Sequence, residues 1–161
     1  MFGTHFQAGL ELGYIDMLQP HSPYNSAQAS AGEYVGLLFR FLLLNKNALA
    51  FNVNLNYRYN RSKSTNTQQE TKFVWHESLL SNQLQYKISN QTTLSLAAEY
   101  QLVTGSLRNL AADSSVKTFN TQNPYGVRLG LKYNLSQTEV IGFDWVEGYK
   151  TGGGIYFART F

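Results

Sequence analysis

The chain has 161 residues, with 13 Lys or Arg against 10 Asp or Glu, a formal net charge of +3, and no cysteine. That length suits one domain over residues 1–161, and the missing thiols exclude a disulfide framework and a thiolate metal centre. Charged and aromatic residues each make up 14%, and no stretch approaches the roughly 20 apolar residues of a transmembrane helix.

From the N-terminus, Phe2, Phe6, Ala8, Leu10, Leu12 and Tyr14 alternate with Gly3, His5, Gln7, Gly9, Glu11 and Gly13, the period of two of a strand with unlike faces. The opening residues lack the basic start and apolar centre of a cleavable signal, so an exported protein is expected to carry this sequence as its mature form with Met1 added. A polar loop with Pro20 and Pro23 follows over Gln19–Gly32, then a weaker alternation over Glu33–Leu44 and a tight turn at Asn45–Ala48. Phe51, Val53, Leu55, Tyr57 and Tyr59 next alternate with Asn52, Asn54, Asn56 and Arg58. Loop Arg61–Thr71 leads to a strand over Lys72–Ile88, a turn at Ser89–Thr92 and a strand over Thr93–Leu102. After loop Ser106–Asn123, Tyr125, Val127, Leu129, Leu131 and Tyr133 alternate with Gly126, Arg128, Gly130 and Lys132. The turn Ser136–Thr138 and strands over Glu139–Tyr149 and Gly153–Phe161, joined at Lys150–Gly152, complete the series.

Eight long strands with short turns at one end and longer loops at the other form a meander, and its free edges would invite aggregation unless the sheet closes. The expected fold is therefore all-β: an eight-stranded antiparallel up-and-down barrel. Charge placement says which face is outside. Glu11, Arg40, Arg58, Glu77, Lys87, Glu99, Arg128, Lys132 and Asp144 share the parity opposite to the apolar residues, together with inward glycines, Asn and Gln. A crowded polar lumen accounts for glycine there, and an outer face with almost no charge apart from the strand ends suits hydrocarbon, where Arg or Lys at mid-depth costs about 2–4 kcal/mol. Aromatic residues fall in two bands on the apolar face. Tyr14, Tyr57, Tyr59, Tyr125, Trp145 and Tyr149 lie toward the long loops, and Phe2, Phe6, Phe51, Tyr86, Tyr133, Phe157 and Phe161 toward the short turns.

In this architecture the chain resembles the small eight-stranded outer-membrane barrels of Gram-negative bacteria, the OmpA/OmpX type. The terminal Ile155, Phe157, Arg159 and Phe161 are similar to the ending read by the barrel assembly machinery, except that Arg159 stands where an apolar residue is expected. The resemblance implies an integral outer-membrane, porin-like protein, with long loops extracellular, termini periplasmic, and partners among membrane lipid, lipopolysaccharide and the assembly machinery.

The near balance of inward charges fits mutual pairing that plugs a narrow lumen, with a narrow ion or solute channel as the alternative. His76-Glu77-Ser78 is the one hint of catalysis. By parity His76 and Ser78 face outward, as in the His-x-Ser motif of PagL-type lipid A deacylases, where His would be the general base for Ser. Leu79 departs from that pattern, and no acidic residue follows before Glu99. A bulge near Glu77 would instead turn Phe73 and Trp75 outward and His76 inward. His5, His21 and His76 are too scattered for a metal site, Gly152–Gly154 is a turn rather than a phosphate loop, and no cofactor or nucleic-acid partner is expected. Loop-end residues Arg61, Lys63, Lys72, Arg108, Lys117 and Lys150, interspersed with Glu70 and Asp113, fall at headgroup level and suit lipopolysaccharide phosphates. Residues 19–32 and 106–123 are polar surfaces that suit an external protein or surface ligand, so the leading expectation is a non-enzymatic structural or interaction role.

Overall fold

The computed structural model describes residues 5–19, 28–64, 71–109 and 116–159. It is all-β, with strands β1 (His5–Gln19), β2 (Gln28–Lys46), β3 (Leu49–Ser64), β4 (Thr71–Lys87), β5 (Thr92–Asn109), β6 (Val116–Asn120), β7 (Tyr125–Asn134), β8 (Glu139–Gly148) and β9 (Gly152–Arg159). Every pairing is antiparallel, in the order β1-β2-β3-β4-β5-β7-β8-β9, with β6 attached to β5. Among the described residues β1 pairs only with β2, and β9 only with β8. The sheet is thus a curled half-barrel whose pairing path stays open at the edges where the alternation predicts closure.

The alternating sequence produces two unlike faces. Leu10, Leu12, Leu37, Leu55, Leu80, Leu96, Leu129 and Phe143 are exposed on the convex face. The concave face buries Asn52, Asn60, Ser62, Ser81, Ala97, Glu99 and Val146. A slip of one residue would exchange these sets, so the buried polar face holds the register. One irregularity interrupts it, at Leu42/Leu44, next to the turn where Asn47 takes φ 55°.

Strands run further toward the long-loop end than alternation predicts. β2 begins at Gln28, β3 continues to Ser64, and β5 to Asn109. The predicted loop Ser106–Asn123 contains β6, which pairs Thr104–Arg108 with Val116–Asn120. Above the apolar belt the backbone ladder continues although hydrophobic alternation has faded, so periodicity ends the strands early.

The β3–β4 and β4–β5 registers are unbroken from Lys63↔Lys72 to Lys87↔Thr93. No bulge occurs near Glu77. Phe73 and Trp75 therefore face inward, forming with Leu107 a buried cluster packed by Ile15 and Val103. Ile15 lies on β1 and its partners on β4 and β5, so the curl brings strands far apart in sheet order into side-chain contact.

Candidate functional site

The concave face carries the charge network. Gly36 on β2 lies between Glu11 on β1 and Arg58 on β3, and a Cβ there would stand 3.0 Å from the Arg58 stem and 3.3 Å from the Glu11 carboxylate. Without it, Arg58 Nε donates to Glu11 Oε2 across the intervening strand at 2.7 Å. The Arg58 guanidinium also lies over the Tyr34 ring, 5.2 Å from its centre.

A second group surrounds Glu99, which is 5% exposed. Arg128 Nε donates to its Oε1 at 2.7 Å, Arg128 Nη2 to its Oε2 at 3.4 Å, and the Tyr149 hydroxyl to Oε2 at 2.6 Å. Arg128 Nη1 is also 3.6 Å from Asp144 Oδ2. Tyr149 sits in the β8–β9 connection, beyond the strand ends, where burial first and the hydrogen bond to Glu99 second push its hydroxyl up to about 12. Tyr149 is thus not the outward girdle residue that parity predicts. Gly148 takes φ 127°, a conformation suited to glycine, which breaks the alternation and swings the next ring inward over Gly126.

The remaining predicted lumen residues divide. Glu77 accepts from the Trp75 indole N–H at 2.7 Å and from Asn60 at 3.5 Å. Arg40, expected to meet a carboxylate, donates instead to Asn52 Oδ1 at 3.1 Å. Lys87 and Lys132 have no carboxylate within 4.0 Å among the described residues. His5 is exposed on the concave side of β1, while His21, Glu70, Asp113, Phe2 and Phe161 lie outside the described residues.

The predicted girdle residues Tyr14, Tyr57, Tyr59, Tyr125 and Trp145 are exposed on the convex face near the long-loop end. Phe6, Tyr86, Tyr133 and Phe157 are exposed near the short turns, with Phe51 half-buried among them. Two inward aromatics, Tyr34 and Tyr156, are not among the predicted girdle or lumen residues; their rings cover Gly13 and Gly142. The signal was present in the sequence: Tyr34 shares the parity of Gly36 and Arg40, and Tyr156 that of Gly154.

Polar residues interrupt the convex belt on β4 and β5, at His76, Ser78, Asn82 and Thr104. His76 Nδ1 is 2.6 Å from the Tyr57 hydroxyl, and its ring also packs on Tyr59. No hydrogen bond joins His76 to Ser78 among the described residues, and their neighbours across β3 and β5 are Tyr57, Tyr59, Leu102 and Thr104, with no carboxylate. At the long-loop end Lys63, Lys72 and Arg108 stand directly opposite one another across β3, β4 and β5.

Among the described residues no group of His, Cys, Asp and Glu could hold a metal ion. Compared with family models, curated proteins and solved structures, the chain matches none.

Proposed function

We propose that this chain is an integral outer-membrane β-barrel with a charge-paired, polar lumen, serving a structural or interaction role through its outer rim. One observation carries this reading: between the Phe6–Tyr86–Tyr133 and Tyr14–Tyr59–Tyr125 levels the convex face is predominantly apolar, interrupted by the polar residues on β4 and β5, while the charges of the strand middles lie on the concave face. A soluble barrel would invert that arrangement.

Closure of β1 onto β9 completes the reading. Leu12 and Ile155 on the two edges are 72% and 78% exposed, against 44% for Leu37 inside the sheet, as expected of strands each lacking a neighbour. The pairing row His5–Leu42–Asn52–Gln83–Ala97–Arg128–Val146–Gly152 sets the foot of β1 level with the loop-end start of β9. Only an even offset keeps like faces together. An offset of about ten residues, with about 3.3 Å rise and about 4.8 Å strand spacing, gives a tilt of about 41°, inside the usual 35–45°. That offset sets Leu12 beside Ile155 and Leu10 beside Phe157 on the lipid face.

Lipopolysaccharide is the partner that the rim suits best. Like charges directly opposite one another on a sheet are unfavourable, and phosphates beside Lys72 and Arg108 would offset that cost. The assembly machinery is the partner during biogenesis, as the terminal resemblance implies. The membrane reading requires a protein that needs detergent for extraction and shows a heat-modifiable gel mobility; a chain soluble and monomeric without detergent refutes it. Lys72→Gln with Arg108→Gln should weaken binding to lipopolysaccharide without changing that mobility, and unchanged binding would move the role away from this row.

A further inference from the structure

Among the described residues every carboxylate of the concave face has a donor: Glu11 has Arg58, Glu99 has Arg128 and Tyr149, Asp144 has Arg128, and Glu77 has the Trp75 indole. The cations of that face outnumber them. Arg40, Lys87 and Lys132 are left without a counter-charge among the described residues, and Arg40 spends only its Nε, on the neutral oxygen of Asn52.

These leftover cations gather toward the short turns. Lys87 ends β4, Lys132 stands near the end of β7, and Arg40 faces the first residues of β3. Two cavities meet between Arg40 and Lys132. One, of about 620 Å³, is lined by Gln7, Gly9, Leu38, Arg40, Asn54 and Asn56. The other, of about 240 Å³, shares Asn54 and Asn56 and reaches Lys132 past Gln83 and Gln85. Its far wall is the Glu99–Arg128–Asp144 group, whose charges already engage one another. Toward the long loops, the Phe73–Trp75–Leu107 cluster with Ile15 and Val103 fills the concave face with apolar bulk.

The lumen is therefore layered: an apolar plug, a neutralised ion-pair level, and a roomy level with uncompensated positive charge lined by neutral amides. We propose that this last level is an anion vestibule, entered from the short-turn side, in which Arg40 and Lys132 hold a small oxyanion with help from the Asn54 and Asn56 amides. This rests on the barrel reading above. It differs from a plain plug, which would leave no charge unmatched, and from a through-channel, which the Trp75 cluster would block. Both cations offer charge-assisted hydrogen bonds, and the amides accept or donate without adding negative charge.

The test uses the full chain folded in a neutral, phosphate-free detergent and titrated calorimetrically with inorganic phosphate. Saturable binding is expected, with Arg40→Gln and Lys132→Gln each weakening it about tenfold, the loss of one charge-assisted contact. Arg40→Lys should retain binding, and Lys150→Gln, in the β8–β9 connection, should leave it unchanged. The heat-modifiable mobility of each variant shows that it is folded. A folded wild type without saturable phosphate binding overturns the vestibule alone, as does binding that both glutamine variants preserve. A chain without the mobility shift overturns the barrel and the vestibule together.

Discussion

Replacing Arg128 by Met tests the central ion-pair group most directly. The Glu99 side chain is 2% exposed and that of Arg128 is 26% exposed, and the pair is joined at 2.7 Å and 3.4 Å. Arg128→Met removes both contacts and leaves the Glu99 carboxylate with the Tyr149 hydroxyl alone. Stranding a buried charge costs about 3–5 kcal/mol, and the partial exposure of Arg128 admits enough water to place this case near about 3 kcal/mol. Glu99→Gln in the same molecule removes the stranded charge. The double variant should recover about 2 kcal/mol relative to the sum of the single effects. Urea titration in lipid vesicles, followed by tryptophan emission and by heat-modifiable mobility, measures all four proteins. A single-variant cost below about 1 kcal/mol, or strictly additive effects, would mean that water solvates Glu99 and that the pair does not organise the lumen.

Leu12→Cys with Ile155→Cys should form an intramolecular cross-link in the folded protein, whereas a doubled mass on a non-reducing gel would assign the edges to two copies of the chain. Trp75→Ala should cost about 3–5 kcal/mol and raise the conductance of a planar bilayer from near zero, because the apolar plug loses its largest member; an unchanged bilayer record would separate the plug from the conducting path. The folded state favours the neutral Tyr149 hydroxyl, so its contribution is fully present below the ordinary tyrosine range near pH 10 and is lost as pH rises through about 12. Tyr149→Phe should therefore abolish the stability loss specific to that window, and an identical alkaline profile in the variant would contradict the assignment. Ser78→Ala should leave the lipid A mass spectrum as it is with the wild type; deacylation that depends on Ser78 would establish the His76–Ser78 pair as catalytic.

Alternation carried most of the strand content, because a two-faced strand writes its period directly into residue order. The facing of Glu11, Arg58, Glu99 and Arg128 followed from the same period. Their pairing followed less directly: Arg58 reaches Glu11 only because Gly36 lies between them, a relation that needs the register as well as the parity. The sequence-level expectation failed where something other than the period controlled the chain. Gly148 at φ 127° reversed Tyr149, a backbone choice with no hydrophobic signature. β6 is too short and too exposed for alternation to mark it. Arg40 was assigned a carboxylate by counting charges, whereas the nearest acceptor is the buried amide of Asn52. The inward pair Phe73 and Trp75 could be read either way until the unbroken β3–β4 register decided it.

The unequal strand lengths have a consequence for whatever approaches from outside. β2 to β5 have 16 to 19 residues, while β7 and β8 have 10 each and β9 has 8. A difference of about seven residues is about 23 Å of extended chain. In the closed barrel proposed above, the rim would be lopsided, a tall palisade on one flank, thickened by β6, facing a low sill on the other. A large visitor descending along the axis strikes the palisade first and is turned toward the sill. If that end faces outward, as proposed, the two flanks present unequal targets: antibodies and proteases would meet β2 to β6 before the β8–β9 bend.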